Sequence, residues 1–274
     1  MTVQGGNFYA IKKVRHNIFG YETDIWYYDE KGEPLHQENH AFHTVRTYDV
    51  KGNILTESYY SDENENEPIE ISREIYKISE QSYKTDKIHK IARQYDVFRH
   101  ETEYWLYDKS GNLVQRENTA CHIVKSYNSL GQNISIETYG ADGKPFLDVD
   151  IGAFKIVFAY DSYGNRSDVW GFDANGVPCK LIHEGKAGQH HFKCSYDFMG
   201  HPLSIEVFDT EEKPCPMENV GDDEMDGVQK ILATYNSYGL RTEVAYYDEE
   251  QNLLRRKLIT YDSDGNKTGE EWVK

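Results

Sequence analysis

The sequence predicts an all-β fold: a meander of about eight β-hairpin repeats forming an elongated, twisted antiparallel sheet or an open solenoid. Three observations predict it. Turn-like cassettes recur along the chain, their spacing inside each repeat is fixed, and the composition suits strands with one wet face. Of 274 residues, 22 are tyrosine but only 38% are hydrophobic, and mean hydropathy is −0.78.

The first cassette, Tyr-Asp/Asn-x-x-Gly, starts at Tyr48, Tyr127, Tyr160, Tyr196, Tyr235 and Tyr261, with the copy "YDVFRH" at Tyr95 and a degenerate copy, "HNIFGY", at His16. The second starts at Tyr28, Tyr60, Tyr107, Tyr139, Phe172, Phe208 and Tyr247, each time 12 residues after the first. Asp or Asn at the entry bonds the backbone two residues on, and Gly supplies positive φ. Such turns join antiparallel strands. Constant spacing fixes a strand of about seven residues, because a one-residue slip would exchange its faces. The path from second cassette to next first cassette varies from 14 to 35 residues, so insertions collect there, over 61–90, 179–190 and 216–228. Within 69–83, Ile71, Ile75 and Ile78 share a helical stripe, so one short helix is expected, although the alternation also permits a strand. With no Pro- or Gly-rich linker, residues 1–274 read as a single repeat array.

Forty-seven acids against 30 bases give a formal charge of −17, which argues against a nucleic-acid partner and permits a cationic one. No apolar run approaches a membrane span, and "MTVQGGNFYAIKK" lacks an apolar core for secretion. A cytoplasmic location is expected, although a chain stripped of its leader would read the same. Cys121, Cys179, Cys194 and Cys215 show no C-x-x-C spacing and read as free thiols.

Five residues before each first-cassette tyrosine stand His43, Lys90, His122, Lys155, His191, Lys230 and Arg256. Ten after it stand Ser58, Trp105, Glu137, Trp170, Glu206, Ala245 and Glu271. A four-residue loop places Lys90 opposite Trp105, His122 opposite Glu137, Lys155 opposite Trp170, His191 opposite Glu206 and Arg256 opposite Glu271. A three-residue loop with a Gly bulge makes the same pairs diagonal. Hairpin stabilisation by cation–π and charge pairs explains the pattern. The functional reading is a binding strip of Trp26, Trp105, Trp170, Lys90, Lys155, His122 and His191, whose tryptophans form an aromatic track for sugar rings or a peptide.

Catalytic and metal motifs are sparse. His36, His40 and His43 cluster without the H-E-x-x-H spacing. His190, His191 and Cys194 suggest a thiol–imidazole dyad, but strand residues three apart point to opposite faces. "DANG" (173–176) and "DSDG" (262–265) lack the remaining ligands of a calcium loop. Asp222, Asp223, Glu224 and Asp226 form an acidic loop able to attract calcium weakly. No G-x-S-x-G, Walker A or G-x-G-x-x-G motif occurs. No catalytic residue, metal site or cofactor is expected.

The Y-D-x-x-G-N and D-G-K-P cassettes resemble the tyrosine-aspartate repeats of bacterial Rhs-type proteins and the divergent MORN-like repeats of bacterial antitoxin-like proteins. The resemblance covers about His16 to Lys274. It implies a β-hairpin repeat architecture used for structure or interaction, and transfers no functional residue. The expected function is therefore a noncatalytic protein–protein interaction or scaffold module, with an immunity- or antitoxin-like role toward a basic partner. Carbohydrate recognition through the aromatic track is the alternative.

Overall fold

The computed structural model describes residues 11–35, 40–77, 83–114, 120–148, 151–183, 186–217, 225 and 227–273. Its hairpins are set by the first-cassette turns. At 49–53 the Asp49 carboxylate accepts the backbone N–H groups of Lys51 and Asn53 at 2.8 and 2.9 Å, and the Asn53 side-chain amide at 2.8 Å. Asp49 and Asn53 close the loop through their backbones at 3.0 Å, and Gly52 sits at φ +84°. This is a three-residue loop whose last residue, Gly52, is left-handed, and it shifts the register by one residue just before Tyr48. A Cβ on Gly52 would also meet the Tyr21 ring at 2.5 Å, so packing as well as φ demands glycine there.

The strands follow in chain order. They are β1 (Ile11–His16), β2 (Glu22–Tyr28), β3 (His43–Tyr48), β4 (Ile54–Tyr60), β5 (Ile71–Lys77), β6 (Tyr83–Ile88) and β7 (Lys90–Tyr95). Next come β8 (Glu101–Tyr107), β9 (His122–Tyr127), β10 (Asn133–Tyr139), β11 (Lys155–Tyr160), β12 (Arg166–Phe172), β13 (Ile182–His183) and β14 (Lys186–Ala187). The last are β15 (His191–Tyr196), β16 (Pro202–Phe208), β17 (Lys230–Tyr235), β18 (Arg241–Tyr247), β19 (Leu253–Tyr261) and β20 (Lys267–Val273). Sixteen of them form one antiparallel sheet in the order β1-β2-β3-β4-β7-β8-β9-β10-β11-β12-β15-β16-β17-β18-β19-β20. It is a meander with β1 and β20 at its ends, and no pairing joins those two strands among the described residues. Two small hairpins, β5–β6 and β13–β14, stand apart from it. No α-helix occurs among the described residues.

The helix expected within 69–83 is corrected by β5–β6. Ile71 pairs directly with Ile88, and both are buried. β-branched residues lose little in an extended backbone, and the tertiary pairing overrides the helical spacing of the stripe. Ile78 lies outside the described residues.

The chain divides into two compact units, Met1–Lys125 with Thr138–Lys144, and Ser126–Glu137 with Pro145–Lys274. In unit 1 Ile25, Phe42, Tyr59, Tyr104, Leu106 and Ile123 are buried. Tails of second cassettes fold back over this face, with Leu35 N–H donating to Tyr27 O and Val114 N–H to Leu106 O. Unit 2 buries Ile151, Ile156, Phe158, Val207, Val228 and Val244, under the same kind of return, Cys179 N–H to Gly171 O.

The cassette tyrosine sews neighbouring hairpins together. Tyr48 donates its hydroxyl to Glu22 O at 2.7 Å, Tyr95 to Ile54 O at 3.1 Å and Tyr160 to Asn133 O at 2.7 Å. Tyr196, Tyr235 and Tyr261 repeat the tie to Arg166, Pro202 and Arg241. Each tie closes the hairpin-to-hairpin joint at the end where few ladder bonds form. Tyr160→Phe is expected to cost about 1 kcal/mol, read as a lower urea midpoint at unchanged slope. An unmoved midpoint would remove the tie from the account.

The turn aspartates make stability depend on acid. The amides of Asn165, Asn252 and Asn266 are the largest influence holding Asp161, Asp248 and Asp262 below the usual carboxylate value, with backbone N–H groups adding to it. For Asp29 and Asp173 the backbone N–H groups of Glu33 and Val177 come first. A depressed folded pKa gives stability that is present above the unfolded value, about 4, and lost as pH falls through the folded one. Turns 128–132 and 236–240 achieve the same bonding with Asn, which does not titrate. Replacing Asp161, Asp248 and Asp262 by Asn is therefore expected to flatten the fall of Tm below about pH 4 while leaving Tm at neutral pH nearly unchanged. An equally steep acid limb would show that other carboxylates set it.

Candidate functional site

The pairings that matter run between hairpins, not within them. The three-residue loops make the expected within-hairpin pairs diagonal: Lys90 faces Tyr107 and Ala92 faces Trp105, Lys155 faces Phe172, His191 faces Phe208, and Arg256 faces Val273. The direct partner of each position ten after the tyrosine is the basic residue of the following repeat. Trp26 faces His43, Ser58 Lys90, Trp105 His122, Glu137 Lys155, Trp170 His191, Glu206 Lys230 and Ala245 Arg256. Tryptophan always meets histidine, and glutamate always meets lysine.

Three stations result. The imidazoles of His43, His122 and His191 stack on Trp26, Trp105 and Trp170 at centroid distances of 4.6, 4.8 and 4.6 Å. Their other flank meets Tyr60, Tyr139 and Phe208 on the next strand at 5.9, 5.3 and 5.0 Å. A carboxylate two residues before each tryptophan, hence on its face, reaches the Nε2 atom: Asp24 at 3.3 Å, Glu103 at 2.8 Å and Asp168 at 3.0 Å. These acids were not among the expected site residues, although "DIW", "EYW" and "DVW" repeat the signal plainly. The intervening stations are ionic, with Lys155 Nζ on Glu137 at 2.8 Å and Lys230 Nζ on Glu206 at 3.2 Å. Lys90 Nζ lies 5.2 Å from the centre of the Tyr107 ring.

The first station is the most enclosed. Trp26 is 5% and His43 1% exposed, and Lys13 and Arg15 lie over the indole. Trp26 Nε1 and His43 Nδ1 are buried with no hydrogen-bond partner among the described residues. At the third, His191 also presents Nδ1 to Glu212 Oε2 at 2.8 Å, and His190 Nε2 lies 3.5 Å from Glu212 Oε1. Glu212 has φ +58° at a turn position that is glycine in most repeats, so a strained backbone carries the group that reaches both histidines. Chemically, the stations are ties: each imidazole has a ring on either side and a carboxylate at Nε2, and His191 has a second at Nδ1. The expected aromatic strip is thus interrupted at every second hairpin, and each indole is stacked on an imidazole.

The other candidates occupy structural places. His43 belongs to the first station, and His36 lies outside the described residues, as do Asp222, Asp223, Glu224 and Asp226. No group of three or more His, Cys, Asp or Glu placed to hold a metal occurs among the described residues. None of the four cysteines is in a disulfide. Cys194 faces Ile205, three residues along from His191, and burial pushes its thiol up. Burial pushes Cys179 up to about 11 and raises Cys121 as well. "DANG" and "DSDG" are turns capped by Asp173 and Asp262.

The hairpin ends differ in character. The seven second-cassette turns (29–33, 62–67, 108–112, 140–144, 173–177, 209–213, 248–252) hold sixteen acids and four bases, net −12 of the chain's −17. The eight first-cassette turns hold six acids and two bases, and display exposed apolar side chains instead. In unit 1 these are Ile18, Phe19, Val50, Val97 and Phe98, and in unit 2 Leu130, Tyr163, Phe198, Met199 and Tyr238. Antiparallel order puts all tips of one class on the same rim of each unit.

No family model matches the chain, and no curated protein matches it. Among solved structures, the crystal structure of TcdB2-TccC3-Cdc42 is similar over 90% of this chain and 12% of its own, at 14% identity and TM-score 0.39. The Photorhabdus luminescens Tc holotoxin pore carrying TccC3-D651A is similar over 96% and 14%, at 14% identity and TM-score 0.27. The chain thus spans about an eighth of the length of these structures, and a likeness of this strength assigns no family.

Proposed function

We propose that the protein is a noncatalytic protein–protein interaction or scaffold module whose acidic rims engage a basic partner, in an immunity- or antitoxin-like role. One observation carries the reading: net −12 is concentrated in the second-cassette turns, while the histidines and lysines of the stations are committed to neighbouring strands. A field of one sign on a rigid rim steers an oppositely charged partner and sets its orientation.

The test is affinity capture from the source cell with elution by a salt gradient, followed by binding of the recovered protein in purified form. A single basic protein released by salt is expected. Its affinity should fall at least about tenfold for Glu249→Lys with Glu250→Lys, since rim charges of this kind govern association. Unchanged affinity for that variant, or recovery that salt does not weaken, would overturn the reading.

A further inference from the structure

We infer that the first-cassette rim of unit 2 is a self-association surface, through which two copies of this chain pair about a two-fold axis. Leu130, Tyr163, Phe198, Met199 and Tyr238 are between 66% and 87% exposed at the tips of four consecutive turns. These tips are not independent loops. The Gln132 side chain packs beneath Gly164, Asn165 beneath Gly200 and His201 beneath Gly239, where an added Cβ would meet them at 3.3, 3.4 and 2.9 Å. His201 also stacks on Tyr235 at 4.8 Å. The five apolar side chains therefore stand on one braced row rather than on mobile ends. The row stops at turn 262–266, whose tip carries Asp262 and Asp264.

Charge selects the occupant. The four tips hold only Asp161 and Asp197, and Arg166 and Arg241 at the first positions of β12 and β18 balance them. The row is electroneutral on a chain of −17, so it offers a basic partner no attraction, and it is a place where two like-charged copies can meet. Area agrees with a second copy. Side chains of this size offer roughly 150 Å² each, about 750 Å² together, against the ~800 Å² per partner of a standard interface. The row is self-complementary when reversed: Leu130 of one copy meets Tyr238 of the other, and Tyr163 meets the Phe198–Met199 pair. That is the condition for a closed isologous contact. The surface is separate from the acidic rims, so it can be occupied while those rims remain free.

Sedimentation equilibrium of the full chain, from about 1 to about 200 μM at low and high salt, tests this. A dimer is expected whose population rises with salt, because screening removes the repulsion between copies. Tyr163→Ser with Tyr238→Ser should raise the dissociation constant at least about tenfold with Tm unchanged. Leu130→Ser with Met199→Ser provides an independent pair should the first misfold. Glu249→Lys with Glu250→Lys should not weaken the dimer. A monomer at every concentration, a dimer indifferent to both tip variants, or a monomer that instead partitions onto phosphatidylcholine vesicles would each overturn the inference. None of these outcomes touches the basic-partner reading, whose signature is binding weakened by salt.

Discussion

Trp26→Ala is expected to remove about 3–5 kcal/mol of stability from unit 1. The indole is 5% exposed, stacked at 4.6 Å on an imidazole that is itself 1% exposed, and flanked by Lys13 and Arg15. Deleting it opens a cavity against His43 that β2 and β3 cannot close, because their backbones are fixed in register by Asp24–Val45, Ile25–Thr44 and Trp26–His43. Trp26→Phe should cost far less, below about 1.5 kcal/mol. It keeps a ring on the imidazole and removes a buried indole N–H that has no acceptor among the described residues. Trp105→Ala should fall between the two, since Trp105 is only half-buried. Urea unfolding of the three variants gives the order. A Trp26→Ala loss below about 1 kcal/mol would mean that the station is decoration on a sheet held elsewhere.

The hairpins were legible because turn chemistry is local: Asp or Asn, two free residues and Gly fix a loop from four consecutive positions. The pairing partners were not, because loop length changes which residues meet. A four-residue loop puts Lys155 opposite Trp170, whereas the observed three-residue loop puts it opposite Phe172 and leaves Trp170 to Val157 and, across the joint, His191. That joint lies beyond a return path of variable length. The rule linking Trp26 to His43 and Glu137 to Lys155 therefore crosses repeats and is invisible inside any one of them. The helix expected within 69–83 failed for a different reason: three isoleucines at helical spacing are also β-branched, and only the tertiary pairing of Ile71 with Ile88 decides. The contrast between rims needed no structure at all. "NIFG", "DVFR", "DSYG" and "DFMG" beside "DEKG", "DKSG" and "DEEQ" state it directly, once the two cassette classes are compared for what their free positions display.

Glu57→Ala is expected to cost unit 1 about 3–5 kcal/mol, through charge rather than volume. Glu57 is 3% exposed on β4, where Oε2 accepts Arg46 Nε at 2.6 Å and Oε1 accepts the Tyr59 hydroxyl at 2.5 Å. Tyr59 is itself 2% exposed, so alanine removes an acceptor from a buried phenol and leaves the largely covered Arg46 guanidinium the more distant Glu22 carboxylate, at 3.8 Å. Glu57→Gln should cost about 1–3 kcal/mol, because an amide oxygen still serves one donor but cannot balance the cation. The sign of the remaining term follows from replacing the whole group. Arg46→Met with Glu57→Leu and Tyr59→Phe removes all three polar groups of this cluster and leaves Glu22 to Lys12, and a buried ion pair replaced by apolar side chains of similar volume is often neutral in stability. The triple variant is therefore expected to recover most of the loss caused by Glu57→Ala alone. If it is as unstable as the single variant, the group contributes net attraction, and the repeat relies on its ion pair for stability and not only for register.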